Sequence, residues 1–467
     1  MISQRVDIPR RLGIRCRAAA LPGLWIRSEV RSETGDQWFA CAETKKIVRG
    51  IPIVSVSSTS SARQPGFLQG ITLLLPITLA VIGVSVFTAT GYLMQEHFKY
   101  LPNGDYLVDL LQTMPGFWIV AFSPVAGWLA DRFGRRVILI AAMFIYAAAG
   151  TAPFLIGDMT AILATRCLVG MCESVVLTIT TTMLCDYFRG TSRERWLAGQ
   201  TGVASLSALV VIPLGGILGN IFGWQGPFLV YLYSLLLVFG VIAFTWEPPH
   251  EVPVVSSAPD PDARYQTIPW ARMAGIIAIT LLGSVSFYST ITKNAVALAG
   301  LGITASDQVG YYSTVASLGV PIGTILFWAV GRLHIGLLLF VDFLLIGIGF
   351  TLMSAATTPM GYALAANVQQ IGCGLVLPTL LVWATRGLAY GIRGRGNGLW
   401  QGAFGVGLFI SAALLDFLSK HLGGLLPTFG VLGKLTLAIA IVALIAKFIW
   451  GHRAYRPTGP SAPVAGH

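Results

Sequence analysis

The chain has 467 residues, of which 55% are hydrophobic and only 11% charged, and its mean hydropathy is +0.73; soluble globular domains carry about a quarter charged residues, so water is not its main solvent. A formal net charge of +11 does not point to nucleic acid here, because in so apolar a chain the placement of each Lys and Arg matters more than their sum. The cysteines, Cys16 and Cys41 near the N-terminus and Cys167, Cys172, Cys185 and Cys373 in apolar segments, form no CxxC pair and exclude an extracellular disulfide scaffold.

Residues 1–66 are polar, basic and unpatterned, ending in the Ser-rich stretch Ser57 to Ser61, and read as a disordered tail. No apolar stretch follows Arg10 and Arg11, and acids at Asp7, Glu29, Glu33, Asp36 and Glu43 argue against a transit peptide, so part of this tail reads as a misplaced translation start. Apolar segments then recur at 68–94, 106–130, 137–156, 159–184, 196–221 and 228–245. Beyond the Pro-rich stretch Glu247 to Pro269 come six more, at 270–291, 309–330, 335–353, 359–385, 398–418 and 425–450. A hydrocarbon layer of ~30 Å takes ~20 residues of helix, and barrel strands would be half as long and alternate in polarity. The expectation is an all-α membrane protein of about twelve spans: a first six-helix bundle over 67–246, a linker over 247–268, a second bundle over 269–450 and a tail over 451–467.

Arg132, Arg135 and Arg136, then Arg189, Arg193 and Arg195, then Arg332, then Arg386, Arg393 and Arg395 fall in breaks on one side, joined by the basic tail and by Arg453 and Arg456. The opposite breaks hold little beyond Lys99, Lys293 and Lys420. The positive-inside rule places both termini in the cytoplasm, which requires an even number of spans. The halves also echo each other: Arg193-Glu-Arg195 with Gln200 and Gly202 before the fifth segment, Arg393-Gly-Arg395 with Gln401 and Gly402 before the eleventh.

The most specific pattern is Gly127-Trp-Leu-Ala-Asp131-Arg132-Phe-Gly134-Arg135-Arg136, between the second and third segments. Gly127 permits close helix packing, Asp131 can face a helix N-terminus, and the arginines can bind carboxylates. This loop resembles the signature loop of the major facilitator superfamily. The resemblance implies two bundles rocking about a central solute path, with this loop as a conformational latch against the start of the eleventh helix, near Asn397 and Gly398. The second-half counterpart keeps only Gly331-Arg332.

In the fourth segment, Arg166-Cys-Leu-Val-Gly170 resembles the family's Arg-x-x-x-Gly pattern. An arginine in lipid costs ~2.5 to 3.5 kcal/mol on insertion scales and should face the protein interior. Glu173 lies on the same helical face, ~10 Å further along the axis, so the two can share one cavity, with Glu173 as the proton-coupling carboxylate. Asp109 and Asp342 are the other acids of the expected coupling or substrate path, Asp109 being interfacial by position; Asp416 and Lys434 are expected to snorkel to the outer surface. Pro213-Leu-Gly215-Gly216 resembles a shortened form of the superfamily's antiporter pattern and, with Gly170, supplies bendable, closely packed helix. Trp118, Phe287, Tyr288, Gln369, Gln370, Trp383 and Trp400 could line a solute pocket.

His97, His250, His334, His421, His452 and His467 all fall in loops or tails, and no Gly-x-x-x-x-Gly-Lys-Ser/Thr loop occurs. No metal or cofactor site, no ATPase module and no enzyme chemistry is expected. The resemblance implies a monomeric secondary transporter of a small organic solute in a cytoplasmic-type membrane, closest to the drug and metabolite:proton antiporters. Proton symport or uniport for uptake of a sugar or organic anion is the nearest alternative, and a transport-dead sensor a distant one.

Overall fold

The computed structural model of the chain describes residues 65–188, 190–247, 265–331, 333–388 and 390–450, together with three short strands nearer the N-terminus. The strands, β1 (Cys16–Ala19), β2 (Arg27–Arg31) and β3 (Trp38–Ala40), pair antiparallel in the order β1-β2-β3, with Cys16 opposite Val30 and Glu29 opposite Ala40. Apart from these strands, the expectation for residues 1–66 lies outside the described residues, as do Arg189, Arg332, most of the linker and the tail after Trp450.

The first expected segment is broken. It forms α1 (Phe67–Leu74), α2 (Ile77–Ser85) and, after a bend, α3 (Gly91–Phe98). Pro76 sits at the first break, where it has no amide hydrogen to give to a helical carbonyl. The first half continues with α4 (Gly104–Phe133), α5 (Arg135–Thr151), α6 (Met159–Tyr187), α7 (Gly190–Phe222) and α8 (Tyr233–Phe244). The second half holds α9 (Trp270–Gly300), α10 (Ser306–Ser317), α11 (Gly319–Val330), α12 (Ile335–Ser354), α13 (Pro359–Thr385), α14 (Tyr390–Leu422) and α15 (Leu425–Trp450).

Among the described residues, 11 helical runs are long and apolar enough to cross a membrane, and one of them, Arg195–Phe244, is 50 residues long. That run folds back on itself. Gly223 adopts φ +69°, open to glycine without strain, and the 3-10 segment Gly223–Leu232 returns so closely that Gly226 lies against the Leu218 carbonyl. Two spans therefore share one run, which reconciles it with the twelve segments of the sequence.

Each half has its own apolar core. One gathers residues from Leu73 to Val241, including Met143, Ile179 and Val238; the other includes Phe343, Phe350, Leu415 and Phe429. Ala89 crosses over, lying in the second half's core. It marks where the halves meet. A side-chain carbon at Gly216 of α7 would stand 2.6 Å from the Ser306 carbonyl and 3.2 Å from Gly310 of α10, and one at Gly91 would stand 3.7 Å from Ala295 of α9. Between α4 and α14, Leu408 sits against Gly116 and Val120 against Gly405. Further towards the arginine-bearing end the contact stops: a side-chain carbon at Gly127, Gly202 or Gly398 would meet nothing within 4 Å. The halves are thus closed against each other at the arginine-poor end and apart at the arginine-rich end. The close packing expected of Gly127 is not made: a side-chain carbon there would face open space.

The connector between the halves is clipped at both edges. Glu247 accepts from the first amides of α5, and Tyr265 donates its amide to the Gly387 carbonyl at 3.0 Å and bridges to Leu388.

A side-chain carbon at Gly170 would stand 2.5 Å from the Pro115 carbonyl oxygen of α4. Gly170→Leu should therefore force α4 and α6 apart and destabilise the fold by about 2 kcal/mol, read as a lowered melting temperature of the detergent-purified protein; an unchanged melting point would refute the close approach.

Candidate functional site

Buried ions in an apolar bundle must find partners inside the protein, since an unpaired charge away from water costs several kcal/mol. Arg166 on α6 is fully buried and elaborately satisfied. Its Nη1 donates to the Tyr231 hydroxyl at 2.8 Å, and its Nη2 donates to the Ala149 and Gly150 carbonyls at 3.3 and 3.2 Å. Those carbonyls belong to the last turn of α5, the negative end of its dipole. The rings of Phe87, Phe228 and Tyr231 surround the guanidinium at 5.8, 5.1 and 4.8 Å. Arg166 is a clamp joining three helical elements of the first half.

Glu173, two turns on, is equally buried but has none of this. Neither carboxyl oxygen has a hydrogen-bond partner, and no ion pair joins it to Arg166 among the described residues. Its carboxyl lies against the Cα of Gly83 on α2, where any side chain would collide with it. Tyr146, Tyr231 and, from the second half, Tyr288 stand within electrostatic reach. Arg166 acts on Glu173 from a distance, with Tyr146 and Tyr231 in reach of both, but the guanidinium is bound to Tyr231 and the α5 carbonyls rather than to the carboxyl.

The other acids do not join Glu173. Asp342 on α12 is fully buried with both oxygens unpartnered, and its backbone packs on Gly372 of α13, inside the second half. Asp109, near the start of α4, is buried in the protein and paired with Lys293, which also pairs with Asp416 at 2.5 Å. Lys293, read from the sequence as a loop residue, lies within α9, and Asp416 does not snorkel free but points to it. His97 and His421 likewise stand in the last turns of α3 and α14 rather than in loops.

A run of aromatic side chains joins α9 to α14 in the second half. Tyr288 packs on Phe287 and Phe404 with ring centres 4.9 and 5.3 Å away, and Phe404 stacks on Trp400 at 5.9 Å. The indole N–H groups of Trp400 and of Trp118, whose Cβ abuts Gly170, are buried without acceptors. Gln369 and Gln370 instead serve α9, accepting from Thr290 and donating to the Ser286 and Phe287 carbonyls. Two unused donors and one unused carboxyl are what a polar solute group could complete.

The signature loop is organised differently from the expectation. Gly134, at φ +92°, turns the chain between α4 and α5. Glu247 caps α5 by accepting from the Arg135 amide at 2.6 Å and the Arg136 amide at 2.9 Å, while Arg136 donates from its side chain to the Ile242 carbonyl at 2.8 Å. Arg135 pairs with Asp186 at the end of α6. Asp131 is 75% exposed and 3.8 Å from Arg135, and Arg132 lies over Trp128. The anticipated partner near Asn397 and Gly398 is not in contact, as the open arginine-rich end requires. Pro213 and Gly216 meet Gly310 of the second half, and Gly215 lies against the Val86 carbonyl within the first.

Residues 73–390 match the Major Facilitator Superfamily. A stretch of 141 residues is 34% identical to the sphingosine-1-phosphate transporter of Danio rerio, covering 29% of this chain and 26% of that protein. A stretch of 120 residues is 25% identical to the multidrug transporter MdtP of Bacillus subtilis, covering 26% and 21%. These matches thus span only about a quarter of the relatives' length. Among solved structures, a bacterial homolog of the human lysosomal transporter Spinster, in an inward-facing and unoccupied conformation, superposes with a TM-score of 0.65 at 16% identity, over 83% of this chain and 98% of that one.

Tyr231→Phe removes the acceptor from Arg166 Nη1 while keeping the ring. It should destabilise the first half by about 1 to 3 kcal/mol, seen as a lower melting temperature with the fold retained; no change would show that the clamp does not hold the guanidinium.

Proposed function

Because the chain belongs to the Major Facilitator Superfamily and is a multi-pass membrane transporter rather than an enzyme, we propose that it exports a small organic solute by alternating access, driven by protons moving the other way. The observation that carries this reading is Glu173: a carboxyl enclosed at the first half's inner face, with both oxygens unpartnered and Arg166 withheld from it. A carboxyl sealed in that way suits the neutral acid, while one reached by water or by a solute suits the carboxylate. Opening and closing the path around Glu173 would then load and unload a proton. Arg166 supports the site by fixing α6, and so the height of Glu173, rather than by pairing with it.

The aromatic run of Tyr288, Phe404 and Trp400, with the free indole donors of Trp118 and Trp400, supports an amphipathic organic solute: flat apolar faces beside a few polar anchors. The sphingosine-1-phosphate and multidrug transporters among the relatives support the same class of solute. The arginine-rich signature loop supports a latch that re-forms when the halves close at that end, Asp131 being exposed and available in the present state.

The test uses the full chain in proteoliposomes with an entrapped pH-sensitive dye, screened with lipophilic amines, lysolipids and aromatic acids. The expected result is solute-dependent proton movement opposite to the solute. Glu173→Gln should abolish accumulation driven by a pH gradient, while solute exchange without a gradient persists. Gradient-driven transport that survives Glu173→Gln removes Glu173 from coupling; protons moving with the solute would make the protein a symporter.

A further inference from the structure

Among the described residues, the buried charges that join the two halves are Asp109 on α4, Lys293 on α9 and Asp416 on α14. The side chains are 2%, 2% and 26% exposed, and Lys293 Nζ is bound by both carboxylates. Their origin makes the two aspartates unequal. Lys293 and Asp416 belong to the second half and move together, whereas Asp109 belongs to the first. A separation of the halves must therefore break the ion pair between Lys293 and Asp109, along with the contact between the Asp109 and Asp416 carboxyls.

We propose that Lys293 is the positioning residue of a gate at the arginine-poor end. It holds Asp109 while that end is shut and withdraws with Asp416 when the end opens. Several contacts share its level. Ala295, two residues on, meets Gly91 of the first half; Gly216 meets Ser306 and Gly310; Ala89 sits in the second half's core. Asn294 is tied to Ser313 within its own half at 2.6 Å, so α9 carries Lys293 on a firm mount. These contacts are all between small or neutral groups and supply fit, whereas the ion pair supplies the attraction. A buried pair broken on one side leaves a charge away from water, and such a pair acts as a threshold rather than a graded spring.

Asp109 also borders a void. It lines a cavity of about 340 Å³ between α4 and α14, together with Tyr106, Thr113, Phe409 and Ala413. Its Oδ1 has no protein partner. When Lys293 leaves, the cavity gives the Asp109 carboxylate room to turn, and Lys293 keeps its charge answered by Asp416. The cluster thus has one permanent pair and one exchangeable partner, and the second carboxylate is what lets the lysine leave.

This proposal rests on alternating access but not on protons or on a particular solute. Spin labels at Tyr100→Cys in the first half and Leu422→Cys in the second, in a background lacking the other cysteines, report the distance across the arginine-poor end in reconstituted full-length protein. Asp109→Asn should raise the ratio of long to short distances by about tenfold, because no ionic bond then crosses the halves. Asp416→Asn should keep the short distance, because the Lys293 and Asp109 pair remains. Lys293→Gln should open the end as Asp109→Asn does, and Lys293→Arg should leave it shut. Should Asp109→Asn fail to fold, Lys293→Gln against Asp416→Asn carries the same contrast. A merely structural cluster would respond alike to both aspartate variants; that result, or an end that stays shut in Lys293→Gln, overturns the gate. The distances are read without solute or gradient, so failure here leaves the coupling role of Glu173 standing, and failure of Glu173→Gln leaves the gate standing.

Discussion

A charge taken into an apolar bundle has to be answered inside the protein, and the structure turns on how three such charges are answered. Arg166 is answered at both terminal nitrogens, by a hydroxyl and two carbonyls, and by three rings, and becomes part of the framework. Lys293 is answered by two carboxylates from opposite halves and holds the halves together. Glu173 is answered only from a distance, by Arg166, and has no hydrogen-bond partner. The first arrangement is permanent, the second is conditional, and the third is chemically unfinished, which is why function is sought there.

The neutral part of the design is equally directional. Where the halves touch, backbone meets backbone or a single small side chain: Gly216 on Ser306, Gly91 by Ala295, Leu408 and Val120 in the hollows of Gly116 and Gly405. Without a hydrophobic drive between helices in lipid, such fits and the buried ions are what association has to draw on. The contacts run from the arginine-poor end to mid-membrane and end before Gly127 and Gly398. One surface thus serves as fulcrum and the other stands open.

Much of this was legible in the sequence, because hydropathy and helical length are local properties. The spans, the two halves, the signature loop and the burial of Arg166 and Glu173 all follow from composition and spacing. Partners were not legible, since nothing near Arg166 announces Tyr231, and nothing near Arg135 announces Asp186 or Glu247. Lys293 shows why. A lysine after an apolar stretch reads as the end of a span, yet α9 continues to Gly300 because the neutralising carboxylates come from positions 109 and 416. The same distant pairing accompanies the burial of Asp109 in the protein. Pro76 and the fold-back at Gly223 show the reverse: local chemistry visible in the sequence, whose effect on span boundaries depends on packing.

The clips at Glu247 and Tyr265 carry a mechanical implication. Each fastens one edge of the connector to its own half, on the side where the halves stand apart. A pull along the backbone from either half therefore meets its own clip, Glu247 on the first turn of α5 or Tyr265 on the residues that follow α13. The load lands on those hydrogen bonds, and the ends of α5 and α13 are shielded from it.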